Sequence, residues 1–260
     1  MKRLVVIPTL GRSPWLDAAV ASARALGERW RLRLVGPAAV GAAIRERFPD
    51  CDFVAESGAG LFRALNDALH ADDAWEWFSY LNDDDLVAPA AGWEPPAGAD
   101  IVYGRVDYLA ADGRRLGSFP VEPKPPRLGR LLAAGVPALT PQGTVVSRRA
   151  FAALGGFDPG LKFCGDFDFW LRAARKNLDF RFRAETTGAF RVRPGQLSAQ
   201  RAAADAERDA VCARHGGGYS GASLVLARLT FRLRNAGRIL ERRRLTGRWT
   251  SAALFSGDIR

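Results

Sequence analysis

Trp77-Phe78-Ser79-Tyr80-Leu81-Asn82-Asp83-Asp84-Asp85 is the stretch whose reading decides the fold. Residues 77–81 are apolar or aromatic apart from one serine, a short run of the kind that forms a fully buried strand. The run passes without a spacer into an asparagine and three carboxylates. In an open α/β sheet, ligands bind outside the carboxyl ends of the strands, which is where this acidic cluster falls. Asp83, Asp84 and Asp85 would repel one another strongly without a counter-cation. A divalent Mg²⁺ or Mn²⁺, held by one or two carboxylates while substrate phosphates complete its shell, is one solution. A solvated turn that caps the next segment is the other.

Outward from this strand, the first hundred residues alternate short apolar runs with helical patterns, the form of an α/β fold with a largely parallel sheet. Leu4–Pro8 reads as the first strand. Ser13-Pro14 supplies an N-cap and a favoured first helical residue, and Trp15, Leu16, Ala19, Val20 and Ala23 share one face until Gly27. Strands follow at Arg31–Val35 and Asp52–Ala55, and helices at Ala39–Phe48 and Gly60–His70. In the last helix Leu61, Ala64, Leu65, Ala68 and Leu69 form the buried side. After residue 86 the pattern loosens. A strand near Ile101–Tyr103, a hairpin turning at Asp112-Gly113, a proline-rich loop at Pro120–Pro126, helices at Arg148–Leu154 and Asp166–Lys176, and an extended stretch at Phe180–Arg193 are expected.

Composition narrows the class. A chain of 260 residues with 48% apolar content can bury a full core, which excludes a disordered or collagen-like protein. Three cysteines with no short spacing (Cys51, Cys164, Cys212) suggest neither a disulfide framework nor a zinc knuckle, and fit a reducing cytoplasm. The net charge of +10 is unevenly spread: residues 221–260 hold nine Arg and two acids, a net +7, leaving +3 for residues 1–220. With no internal repeats and no clean linker, residues 1–220 read as one domain, and 221–260 as an Arg-rich helical tail.

Two further elements carry chemistry. Gly60 opens a helix whose Asn66 stands where a packing face would want an apolar residue. A helix N-terminus offers free N–H groups to an anion, although an ordinary amphipathic helix fits the same pattern. Gly165-Asp166-Phe167-Asp168-Phe169-Trp170-Leu171-Arg172 brings two acids into an aromatic helix. Asp at a helix start is commonly a cap. A carboxylate among Phe167, Phe169 and Trp170 is also desolvated, which raises its pKa toward the range of a general base.

Over roughly residues 3–200 the chain resembles the family 2 glycosyltransferases of GT-A fold, in particular members that act in bacterial polysaccharide assembly. Val5-Val6-Ile7-Pro8-Thr9 is similar to the opening strand, Gly60-Leu61-Phe62 through Asn66 to the family's glycine helix, and Tyr80–Asp85 to the element carrying the metal-binding DxD motif. Pro141-Gln142-Gly143-Thr144, Arg148, Gly155-Gly156-Phe157-Asp158 and Gly165–Arg172 follow in the family's order. Two places depart: Leu34-Val35-Gly36-Pro37 replaces an acidic nucleoside-gripping element, and Gly58 and Arg63 stand where relatives carry Asp.

The resemblance implies a single GT-A domain over 1–220, with a nucleotide-sugar-binding half (1–100) and an acceptor half (101–220), a mixed, mostly parallel sheet flanked by helices, and a basic C-terminal helix. It implies a metal-dependent inverting enzyme that moves a sugar from a nucleoside-diphosphate sugar to a hydroxyl of a glycan or lipid-linked acceptor. Asp83, Asp84 and Asp85 would hold Mn²⁺ or Mg²⁺. Pro8, Thr9, Arg12, Gly60, Arg63, Asn66, Asp83 and Asp84 would bind the donor, and Asp166 would be the base. Gln142, Asp168, Trp170, Arg172, Arg191 and Arg193 are candidate phosphate or acceptor contacts, with Asp168 and Arg172 better suited to holding their helix. Arginines and leucines interleaved over residues 222–245 suit an anionic membrane surface, the alternative being a helix packed on its own domain. The expected location is cytoplasmic, peripheral on the inner face of the membrane, with no nucleic-acid partner. From another class, a catalytically inactive sugar-nucleotide-binding or membrane-recruited module of the same fold is the competing reading, and a phosphohydrolase ranks last.

Overall fold

The computed structural model describes residues 2–88, 94–193, 195–216 and 222–255. The boundary expected at residues 220/221 and the last five residues of the tail lie outside the described residues. The first half follows the expected alternation: β1 (Arg3–Pro8), α1 (Leu16–Arg24), β2 (Trp30–Gly36), α2 (Gly41–Arg47), β3 (Asp52–Ala55), α3 (Leu61–His70) and β4 (Trp77–Tyr80). These strands lie parallel in the order β3-β2-β1-β4, with Val5 level with Leu32 on one side and Ser79 on the other. Helices cover both faces, so β1 is apolar from Leu4 to Pro8, after the buried Arg3 at its start. Val5 and Ile7 pack with Leu16, Val20 and Ile44, while Leu4 and Val6 pack with Leu65, Leu69 and Phe78 on the opposite face. Each such fully buried side chain contributes about 1.5–3 kcal/mol.

The second half is mixed. It contains β5 (Leu86–Val87), β6 (Ile101–Leu109), β7 (Arg115–Ser118), α4 (Pro125–Ala133), β8 (Thr144–Ser147), α5 (Arg148–Leu154), α6 (Gly165–Arg175) and β9 (Phe180–Arg191). β8 inserts antiparallel between β4 and β6, β9 runs parallel to β6, and β7 closes the hairpin at Asp112-Gly113. At the start of α6, Gly165 is required by space: a Cβ there would stand 2.5 Å from the Phe62 ring. Glycine lets α6 begin directly against α3.

Several expectations need correcting. α1 begins at Leu16 because the Ser13 hydroxyl reaches across to the Asp83 carbonyl, 2.9 Å away, as well as accepting from Trp15 N. The end of the proline-rich loop is helical, since Pro125 and Pro126 occupy first-turn positions whose N–H groups would have no partner anyway. A helix absent from the sequence reading, α7 (Arg201–Arg214), buries only Val211 fully and so has almost no apolar stripe to announce it. The tail forms two helices, α8 (Ala222–Arg234) and α9 (Ala236–Thr246). Between them the buried Asn235 spends its side chain on Val121 N and Phe231 O. Phe231 enters the main core with Leu224 and Ala227 against it, and the Arg242 backbone lies on Gly117. On the other side of α8, Val225, Leu226, Leu229 and Leu233 are 51–66% exposed.

Candidate active site

Beyond the carboxyl ends of β1 and β4 opens a cavity of about 1050 Å³. The end of β1 is tied to the acidic turn, for Thr9 Oγ1 donates to Asp83 Oδ2 at 2.6 Å. Gly36 permits this junction, since a Cβ there would lie 2.0 Å from the Thr9 carbonyl oxygen. The three carboxylates then take three different environments. Asp83 lines the cavity, and burial pushes its carboxyl up, with the Thr9 hydrogen bond opposing and Asp84 adding to the rise. Asp84 also lines the cavity and pairs with Arg193 Nε. Asp85 turns inward and is 1% exposed; its Oδ1 accepts from Arg191 N at 2.8 Å, and its Oδ2 from Asn82 at 2.9 Å and Gln142 at 2.6 Å. Burial and Asp84 push the Asp85 pKa up while those three donors hold it down.

Part of the counter-charge is therefore the protein's own. Arg191 donates through Nε to the Asp84 carbonyl and through Nη1 to the carbonyls of Ala110 and Ala111. The guanidinium groups of Arg191 and Arg193 each lie 5.6 Å from the Trp15 ring, whose Nε1 donates to Ala111 O. Such cation–π contacts hold an arginine where the sheet alone would leave it loose.

The second acid pair stands in the first turn of α6. Asp166 lines the same cavity, half-buried, and burial pushes its carboxyl up to about 6, with the hydrogen bond from Phe167 N opposing and Glu207 adding to the rise. Asp168 is 1% exposed, with Arg172 Nε 2.6 Å from one oxygen and His215 Nε2 2.8 Å from the other. Arg172 continues to the carbonyls of Leu154 and Gly156.

No protein-family model and no curated protein sequence matches the chain. Solved structures do. The chain is similar over 99% of its length, at 17% identity and TM-score 0.60, to the mannosyltransferase PcManGT from Pyrobaculum calidifontis in complex with GDP-Man and Mn²⁺, covering 76% of that chain. It is similar over 91% of its length, at 15% identity and TM-score 0.59, to residues 1–349 of S. aureus TarS in complex with UDP-GlcNAc, covering 73% of that chain. The fold is that of the GT-A glycosyltransferases. Against the longer S. aureus TarS structure, at 17% identity and TM-score 0.60, 90% of this chain matches only 43% of that one.

On this GT-A frame the residues expected from sequence divide by place. Pro8, Thr9, Arg12, Gly60, Asp83, Asp84, Gln142, Asp166, Trp170 and Arg193 all line the cavity. Asp85, Asp168, Arg172, Arg191, Arg63 and Asn66 lie outside its lining. The triplet is not one three-ligand group: among the described residues no three acids, histidines or cysteines gather as a metal cluster, because Asp85 is consumed by its three donors. Asn66 is a joint rather than a donor contact, exchanging hydrogen bonds with the backbone N–H and carbonyl of Phe157. Arg63 is exposed on the side of α3 away from the core. Asp168 and Arg172 pair one turn apart in α6, and Arg172 ties the helix to the carbonyls of Leu154 and Gly156.

Sequence reasoning missed several contributors. Trp15, expected on the packing face of α1, carries both arginines instead. Ser251 and Phe255, from the far end of the tail, line the cavity, as do Ala204, Asp205 and Arg208 of α7. The aromatic-arginine pairing of Trp15 crosses more than 170 residues and leaves no local signal.

Proposed function

We propose that the protein is a metal-dependent inverting glycosyltransferase of GT-A fold, using a nucleoside-diphosphate sugar as donor and a hydroxyl of a glycan or lipid-linked molecule in cell-surface polysaccharide synthesis as acceptor. One observation carries the reading: cavity-facing carboxylates at the end of β4 and a single half-buried carboxyl with its pKa raised to about 6 share one cavity. Two solved GT-A structures with a similar fold hold GDP-Man with Mn²⁺ and UDP-GlcNAc, which supports a sugar-nucleotide donor here.

Asp83 and Asp84 would hold the metal. Two carboxylates with room left for phosphate oxygens are the donor set that Mn²⁺ or Mg²⁺ takes, and Arg193 would then release Asp84. Bound there, the metal supplies charge neutralisation for the departing diphosphate. Pro8, Thr9, Arg12 and Gly60 would border the nucleotide, and Arg193 would turn its guanidinium onto phosphate. Asp166 takes the proton of the acceptor hydroxyl as that oxygen bonds to the anomeric carbon. The bond to the donor phosphate breaks, and its electron pair leaves with the nucleoside diphosphate. Gln142 and Trp170 border the acceptor.

In a thermal-shift panel of UDP, GDP and dTDP with and without Mn²⁺, one nucleotide raises Tm only with the metal, and Asp84→Ala abolishes the rise. Equal shifts without metal in both proteins would sink the proposal.

For the tail, the outward stripe of Val225, Leu226, Leu229 and Leu233, flanked by Arg228 and Arg232, supports seating on an anionic bilayer. No helix among the described residues is long and apolar enough to cross a membrane. Co-sedimentation with phosphatidylglycerol vesicles is expected for the native chain and lost in Leu229→Asp/Leu233→Asp. Equal sedimentation of both proteins would reject this partner.

A further inference from the structure

α7 has almost no packing of its own, yet it grips α6 on both sides of Asp166. Before Asp166, the Glu207 carboxylate accepts three successive backbone amides: Lys162 N on Oε1 at 2.8 Å, and Phe163 N and Cys164 N on Oε2 at 2.6 and 2.7 Å. One turn earlier in α7, the Ala204 carbonyl accepts from Cys164 Sγ at 3.2 Å. After Asp166, His215 at the end of α7 meets Asp168. A carboxylate accepting three N–H groups is among the stronger arrangements a loop can have, because each bond is charge-assisted and the three converge on one rigid group. The loop so fixed, residues 162–164, enters α6 two residues before Asp166.

We propose that Glu207 is a positioning residue for the base: by binding the three amides of residues 162–164, it sets where the Asp166 carboxylate stands in the cavity. The proposal rests on Asp166 being the base. A mere surface brace would affect stability alone. Glu207 instead controls the approach of the one group whose placement the proton transfer depends on, and a misplacement on the order of 1 Å costs about 100-fold in rate. Its charge acts in the same place. The titratable groups around Asp166 are Tyr80 from β4, Cys164 on the entering loop and Glu207 from α7, with Asp205 and Arg208 of α7 beside Cys164. Glu207 is the neighbouring charge that raises the Asp166 carboxyl beyond what burial does.

The test compares the full-length native chain with Glu207→Gln, Glu207→Asp and Asp166→Asn. Release of nucleoside diphosphate from GDP-mannose and UDP-N-acetylglucosamine, with water as acceptor, reports turnover; the thermal shift with GDP or UDP and Mn²⁺ reports donor binding. Glutamine offers one acceptor oxygen to three donors and no charge. Glu207→Gln is expected to bind nucleotide within about twofold of native, lose about 10- to 100-fold in turnover, and move the acid limb of the pH profile to lower pH. Glu207→Asp keeps the acid limb in place. Native turnover and an unmoved limb in Glu207→Gln, with Asp166→Asn inactive, would overturn the role of Glu207 alone. Full turnover in Asp166→Asn would instead overturn the base. Should neither donor turn over, or the variants fail to fold, hydrogen exchange on the native chain decides: the amides of residues 162–164 must exchange as slowly as those inside α6, and fast exchange there rejects the proposal.

Discussion

The acidic turn after β4 and the acidic first turn of α6 solve the same problem in the same way. Each places two or three carboxylates within four residues, and each divides them between the interior and the cavity. In the turn, Asp85 is 1% exposed and fully bonded while Asp83 and Asp84 face the cavity. In the helix, Asp168 is 1% exposed and held by Arg172 and His215 while Asp166 faces the cavity. The difference lies in what balances the cavity-facing member. Asp84 meets an arginine braced on Trp15, whereas no basic side chain is among the groups that shift Asp166, and its carboxyl is pushed up to about 6. A carboxylate with a cationic partner is suited to gripping a charged ligand, and one raised by burial is suited to exchanging a proton.

If the division is right, Asp166→Asn produces the largest effect: turnover falls by about 10²- to 10⁴-fold with nucleotide binding preserved, measured by nucleoside diphosphate release against thermal shift. The same variant should melt higher than native at pH 7. A carboxyl whose folded pKa lies above its unfolded one destabilises the fold as pH rises through the window from about 3.8 to 6, and asparagine removes that cost. Next come the inward acids. Asp85→Ala and Asp168→Ala each strand buried donors and should cost about 3 kcal/mol in urea unfolding, whereas Asp84→Ala should cost less than about 1 kcal/mol, since its partner Arg193 is solvent-reachable. Equal losses across the three would erase the distinction. Smallest is the pH response of the native protein: activity should rise through an acid limb near pH 6 as Asp166 ionises, and a limb near pH 4 would mean that burial is not tuning the base.

The division itself was not legible in the sequence. The run from Trp77 to Asp85 gave away the strand, the sheet and the edge on which the cavity opens, because buried strands and their carboxyl ends follow from local pattern. Gly165 through Arg172 likewise announced a helix with acids at its start. Which acid turns inward depends on Gln142, Arg191 and His215, residues 57, 106 and 47 positions from their partners in Asp85 and Asp168. No local spacing encodes such pairings. Asn66 misled for the same reason, since its partner Phe157 lies 91 residues away. α7 escaped notice because it holds the site with polar groups and leaves no apolar period to read.

The tail carries a different consequence. Phe231 and Leu224 sit at the core and Ser251 and Phe255 line the cavity, while Leu226, Leu229 and Leu233 of α8 are 51–66% exposed. One stretch of chain thus presents two separate faces, one to the core and the cavity and one outward. If the outer face seats the chain on a bilayer as proposed, substitutions there would change where the molecule sits without reshaping the cavity wall. Removing the tail as though it were an appendage would take Ser251 and Phe255 out of the cavity wall and Phe231 out of the core.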